Sequence, residues 1–292
     1  MPDHPQAPPA QPRAGARRRR WLRKLSIAAL VTIAAWALAA YVVLPRALRH
    51  YDHQAALAGM DMVTRTGIGL PGDPLNVGIV ASREELVAAM LAAGWSPADA
   101  VTLRTGVEIV GSVLFDHAYA DAPVSPLFYQ GRQQDLAFEQ AVGKSADRRQ
   151  HVRLWKVLPA GAEGRPVWLG SASFDKGVGL SHYTGAVTHA ISPDVDAARN
   201  RLSADLAQAL RVVETYEVTG VGATLNGRNG EGDRYYTDGE LRVSVVAAAG
   251  DHGRNPPRVL PNPPLVELKN RLWRSLRPAR PTDTTAATAA AP

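Results

Sequence analysis

The chain has no cysteine in 292 residues, which removes disulfides, thiolate nucleophiles and cysteine-based metal sites together. Other familiar chemistry is missing too. There is no Gly-Lys-Ser/Thr phosphate loop, no His-Glu-x-x-His zinc helix and no Gly-x-Ser-x-Gly nucleophile elbow. The Pro-Ser-Gly-His run of a membrane lipid phosphatase is likewise absent, and what remains implies no cofactor and no metal.

The folded part also lacks net positive charge, although the whole chain carries +6. Residues 1–24 hold seven bases against Asp3, which accounts for all of it. From Gly253 onward seven more bases face Glu267 and Asp283, so residues 25–252 carry −5. A nucleic-acid binder displaces counterions with a basic face on its folded body, so nucleic acid is not an expected partner.

What the sequence does have is one long apolar run. LSIAALVTIAAWALAAYVVL, residues 25–44, contains no charge and matches the length an α-helix needs to cross about 30 Å of hydrocarbon. Trp21 and Tyr41 sit where amphipathic rings favour headgroups, and Pro45 is expected to stop the helix. The bases before it place the N-terminus in the cytoplasm and the rest outside, as a single-pass protein of the inner (cytoplasmic) membrane. Ala37-Leu38-Ala39 also offers a signal-peptidase site, but the apolar residues continue to Leu44, which favours an uncleaved anchor. The membrane bilayer is thus the first expected partner.

Composition divides the remainder. Residues 1–24 form a basic, proline-rich cytoplasmic tail, 45–69 a stalk, 70–250 a folded domain and 251–292 a proline-rich tail. Ser82 and Glu85 have capping-box spacing ahead of Leu86, Val87, Met90 and Leu91, with Gly94 to end the helix. Ser96-Pro97-Ala98-Asp99 repeats the start signal for a second helix through Leu114. Strands follow from residue 124, then a third helix with Ser192 as N-cap and Pro193 first, then strands over 212–218 and 235–247. Closely spaced strands with helices before and among them predict an α+β fold of two layers, helices covering one mainly antiparallel sheet, preceded by one transmembrane helix. At 264–277, Leu265, Leu268, Leu272, Trp273 and Leu276 share a helical face opposite Lys269, Arg271, Arg274 and Arg277. That pattern suits either a bilayer surface or docking on the body.

Of eight histidines, His151, His182 and His189 lie in the strand block. Alternation puts His151, Arg153 and Trp155 on one strand face, and His189 on a face with Val187 and Ile191. Asp194-x-Asp196 reads most simply as acids at a helix N-terminus. Asp175 suits a turn or a pocket. GRNGEGDRYYTDGEL, residues 227–241, is too long and too charged for an ordinary hairpin loop, and Asp238-Gly239 interrupts its strand alternation. A binding loop and a structural hairpin both remain open there.

Six stretches in order, among them GDPLNVGIVASREELVAAMLAAGWSPAD, RRQHVRLWKV, VWLGSASFDKGVGLS and GRNGEGDRYYTDGEL, resemble the LssY C-terminal domain family from about Leu70 to Val246. That family has no established reaction. Its company of membrane modules and a type I secretion locus implies a role with envelope lipids or secretion, and an envelope membrane-protein partner. The resemblance adds weight to Arg132, Asp135, His151, Arg153, Asp175, His189, Arg234, Tyr236 and Asp238 as a polar ligand pocket in a non-catalytic binding or accessory module. The alternative is a hydrolase of phosphorylated or lipid-linked substrates, with His151 or His189 as general base and Asp175 or Asp238 orienting it.

Overall fold

The computed structural model describes residues 14–98, 104, 127–143, 148–185 and 187–278. Contacts divide the chain into two compact units, Met1–Arg49 and His50–Pro292.

In the first unit, helix α1 (Ala14–Leu38) passes through a π-helical stretch (Ala39–Val43) into α2 (Leu44–Leu48). The run Arg17–Leu48 is long and apolar enough to cross a membrane. Pro45 does not stop it as expected. Proline lacks an amide hydrogen and crowds the preceding turn, and the wider π register just ahead of it accommodates both effects. Two polar side chains within the run bond its own backbone. Ser26 Oγ donates to the Leu22 carbonyl at 3.0 Å and Thr32 Oγ1 to the Ala28 carbonyl at 2.9 Å, so neither needs water in hydrocarbon.

The second unit is built on a nine-stranded sheet. Its strands in chain order are β3 (Val77–Val80), β4 (Ser96–Pro97), β7 (Leu136–Ala141), β8 (Arg149–Leu158), β9 (Val167–Leu180), β10 (Val187–Ile191), β11 (Val212–Thr219), β14 (Glu240–Val246) and β15 (Arg258–Val259). The spatial order is β15-β11-β14-β3-β9-β8-β7-β4, with β10 also pairing β9. Pairing is antiparallel except for β14 with β3 and β15 with β11.

Helices cover one face. α3 (Arg83–Ala92) begins with the expected capping box: Ser82 Oγ accepts from the Glu85 amide at 3.1 Å and the Glu85 carboxylate accepts from the Ser82 amide at 2.7 Å. Gly94 takes the left-handed position after it, with φ +77°. Leu86, Val87 and Met90 of α3 pack with Ala198, Leu202 and Leu206 of α4 (Val195–Gln208) over Ile79, Phe138, Val152 and Leu154. The cap of α4 is Asp194, two residues later than expected. Its carboxylate accepts from the Ala197 amide at 3.0 Å, while Pro193 lends its carbonyl to the Tyr236 amide instead of opening the helix.

A second sheet, ordered β2-β1-β5-β6, covers the other face, a layer that sequence periodicity did not suggest. Its strands are β1 (Val63–Thr66), β2 (Pro71–Pro74), β5 (Leu127–Tyr129) and β6 (Arg132–Gln133). Met62, Leu127 and Tyr129 join Leu57 in one core with Trp155, Leu169, Tyr216, Leu241 and Val243 of the main sheet. Residues 50–69 therefore do not form a free stalk: Leu57 and Thr64 are wholly buried there. Ser96 does not start a helix either, since Ser96–Pro97 pairs with β7. The rest of that expected helix lies outside the described residues, apart from Ala98 and Arg104.

The glycine-rich stretch makes a hairpin within a hairpin. β11 pairs with β14 as expected, but the connection carries its own ribbon, β12 (Thr224–Arg228) with β13 (Arg234–Thr237). Asp238-Gly239 is the interruption between β13 and β14, with Gly239 at φ +83°. Finally, α5 (Pro264–Leu276) docks on the body through Val266, Asn270 and Trp273.

Candidate active and binding site

The face of β8 and β9 toward the second sheet changes character along the strands. Trp155, Val167 and Leu169 are apolar core; next along come Arg153 opposite Ser171, His151 opposite Ser173, and Arg149 opposite Asp175. All six of these polar side chains are buried. Strict alternation places them, since residues two apart on a strand share a face.

Asp175, His151 and Ser173 follow one another across the two strands. Asp175 Oδ1 lies 3.2 Å from His151 Nδ1, near enough for an ion pair but without hydrogen-bond geometry, and His151 Nε2 lies 2.8 Å from Ser173 Oγ in a hydrogen bond. Arg153 Nη1 also lies 3.2 Å from His151 Nε2. A guanidinium can only donate, so Nε2 carries a lone pair and the ring proton sits on Nδ1, facing Asp175. Burial, the largest single effect on Asp175, pushes its carboxyl up, but His151, His189 and Arg149 together hold it below the ordinary carboxylate range.

Arg149 closes the cluster. Its Nη1 donates to Glu139 at 3.0 Å and its Nε to Asp175 at 3.4 Å, while its buried Nη2 has no acceptor among the described residues. Opposite, Asp73 of β2 comes within 3.8 Å of Arg153. Burial raises its pKa, only partly offset by Arg153, His151 and Asn229. Tyr235 of β13 faces the same way, its hydroxyl pKa raised by burial and by Asp73. Asp73, Asn229 and Tyr235 are each at least nine-tenths buried, so the cluster is closed.

The nine expected residues thus separate into groups. His151, Arg153 and Asp175 come together, with the half-buried His189 close enough for its charge to act on Asp175. Arg132 and Asp135 pair with each other at 2.6 Å and tie down the backbone of Lys156, five residues along β8 from His151. Arg234 is exposed. Tyr236 is buried on the phase opposite Tyr235, its backbone bridged to Asp194. Asp238 belongs to a different network, gripped by both Nη atoms of Arg199 at 2.8 Å. Arg199 Nη1 also lies 3.5 Å from Asp196, whose carboxylate accepts from Thr237 Oγ1 at 2.6 Å and from the Asp238 amide at 2.8 Å. Glu240, next along the strand, meets Lys269 of α5 and, at 3.3 Å, His50. Burial pushes the Glu240 carboxyl up to about 7 despite Lys269.

Ser173, Arg149, Asp73 and Tyr235 were not expected in the site. Ser173 was the most accessible to reasoning, because Ser171, Ser173 and Asp175 alternate on one face of SASFD. Among the described residues no group of three or more His, Asp or Glu side chains is arranged to hold a metal. A cavity of about 490 Å³ lies elsewhere, between α4 and α5 and lined by Arg199, Tyr216, Asp238 and Trp273. Another, of about 250 Å³, lies beside Arg65, Phe128 and Gln130. Of the nine expected residues only Asp238 borders either.

The sequence profile described as the LssY C-terminus matches residues 55–241. The chain belongs to that family, and the match takes in the segment after residue 54 that the second sheet draws into the core. No curated protein and no solved structure gives a significant match.

Proposed function

We propose that the chain is a membrane-tethered binding module of the cell envelope. Its N-terminal helix serves as an uncleaved single-pass anchor with the basic tail in the cytoplasm, and its body binds a phosphate- or carboxylate-bearing envelope component. The observation that carries the binding reading is Arg149 Nη2, a buried guanidinium donor that meets no acceptor among the described residues, beside Arg153 and His151. A desolvated donor of this kind is costly unless an anion meets it. Entry requires Asp73, Asn229 and Tyr235 to move aside, and the β12–β13 ribbon that carries Tyr235 is the element placed to do so.

The test is thermal unfolding of the full chain in detergent with inorganic phosphate, glycerol phosphate and citrate. At about a hundred times the dissociation constant a ligand adds about 2.7 kcal/mol, or about 5–10 °C for a body of this size. Arg149→Lys keeps the charge but loses the forked edge, so it should abolish that shift, measured against the variant's own ligand-free midpoint, which falls as the buried bonds to Glu139 and Asp175 weaken. A shift unaltered by Arg149→Lys, or none with any anion, would remove the cluster as the binding site.

A second reading rests on a separate observation, the hydrogen bond between Ser173 Oγ and His151 Nε2 with Asp175 Oδ1 3.2 Å from the other ring nitrogen. In that reading Ser173 Oγ attacks an ester carbon or phosphorus as its proton passes to His151 Nε2. His151 then returns the proton to the departing alcohol oxygen, and water releases the acylated or phosphorylated serine. Ser173→Ala separates the two readings. It should leave anion-dependent stabilisation in place, whereas any ester or phosphoester turnover by the wild type that it abolishes would establish the hydrolase.

A further inference from the structure

α5 has three sides, and docking uses only one. Val266, Asn270 and Trp273, at i, i+4 and i+7, face the body and are buried. A second side carries Leu265, Leu268, Leu272 and Leu276, at i, i+3, i+7 and i+11, exposed at 39%, 44%, 57% and 65%. Arg271 and Arg274 lie on the third, solvent-facing and without a salt bridge among the described residues. A helix held to a soluble body gains nothing from a continuous stripe of four leucines in water, and such a stripe marks a surface that something covers.

Charge and attachment point to the occupant. The segment from Gly253 onward carries seven bases against two acids, on a body that is otherwise acidic. The helix is also tied to the entrance of the body. Lys269 bonds Glu240, and Glu240 faces His50, the first residue of the body after the apolar helix. α5 is thus linked through Glu240 to the residue at which the body begins.

We propose that α5 docks on the membrane surface, its leucines entering the headgroup–acyl boundary and its arginines meeting anionic phospholipid. This rests on the tether reading above. It would give the body a second, lipid-sensitive contact that fixes its orientation to the bilayer, with binding that follows buried apolar area and surface charge.

The absence of cysteine makes the test direct. Leu272→Cys, and in a second preparation Leu225→Cys on β12, is placed in the full chain and labelled with an environment-sensitive fluorophore. Each is reconstituted into nanodiscs of phosphatidylcholine alone or enriched in phosphatidylglycerol. Leu225 is comparably exposed, at 49%, and serves as the control. The label at 272 should be protected from an aqueous quencher in the anionic discs and less so in the neutral ones, while the label at 225 stays open in both. Adding Arg271→Gln should lower the docked-to-undocked ratio about fivefold.

Equal quenching at 272 and 225 in chains that have entered the discs would overturn the docking and leave the tether standing. Protection that follows the number of chains per disc, whatever the lipid, would assign the stripe to a second copy and overturn it as well. Failure of the chain to enter the discs would remove the tether and the docking together.

Discussion

Arg199→Met should lower the stability of the body by about 3–5 kcal/mol, the cost of stranding buried charge. Arg199 is 2% exposed and holds both oxygens of Asp238, with the Glu240 carbonyl accepting from the same guanidinium at 2.8 Å. Burial alone would pull its pKa down, but Asp238 and Asp196 hold it firmly charged. Taking it away leaves two largely buried carboxylates at the edge of the cavity with only backbone and hydroxyl donors, and Lys269 as a remaining cation that acts on Asp238. Urea denaturation checks this, and adding Asp238→Asn should recover part of the loss, because the orphaned charge goes with it. A single-variant loss below about 1 kcal/mol would mean that water or another cation reaches the network.

Gly239→Ala should cost roughly 2–5 kcal/mol, combining a left-handed backbone with a steric clash. At φ +83° any side chain is strained, and a Cβ there would lie 2.1 Å from the Gly222 carbonyl carbon and 2.2 Å from the Ala223 nitrogen. Those are backbone atoms and cannot rotate away. The Gly239 carbonyl also accepts from the Gly220 amide at 2.9 Å, so relief by moving the loop would break the junction where β13 gives way to β14. The same denaturation measurement applies, and Gly222→Ala is a useful contrast, since its Cβ would meet nothing within 4 Å and only the backbone strain remains. Equal losses for the two variants would show that the clash contributes nothing.

These two sites show where sequence reasoning reaches and where it stops. The capping box of α3 was legible because its two hydrogen bonds join residues three apart, and the α+β class followed from local periodicity. The polar face of β8 was legible for the same reason, as strand alternation alone aligns His151 with Arg153. Asp238 was misplaced because its partner lies 39 residues away on α4, and nothing local distinguishes a carboxylate facing a ligand from one facing a distant arginine. Tyr236 came with the resemblance and Tyr235 did not, since alternation within β13 separates the two rings but does not say which of them faces β8, a matter of how two different sheets meet. The second sheet escaped notice because its strands are short and dispersed between residues 63 and 133, joined only by tertiary contact. Pro45 was read by a rule for regular α-helices, and the π-helical stretch ahead of it lies outside that rule.

The binding reading, the hydrolase reading and the docking of α5 all place the body beside a membrane to which residues 17–48 hold it. The intact mass of the chain recovered from alkali-washed membranes tests that placement most directly. The expected mass is that of a product that retains residues 25–44, in the membrane pellet. A product beginning at Ala40, or recovery in the wash alone, would contradict it.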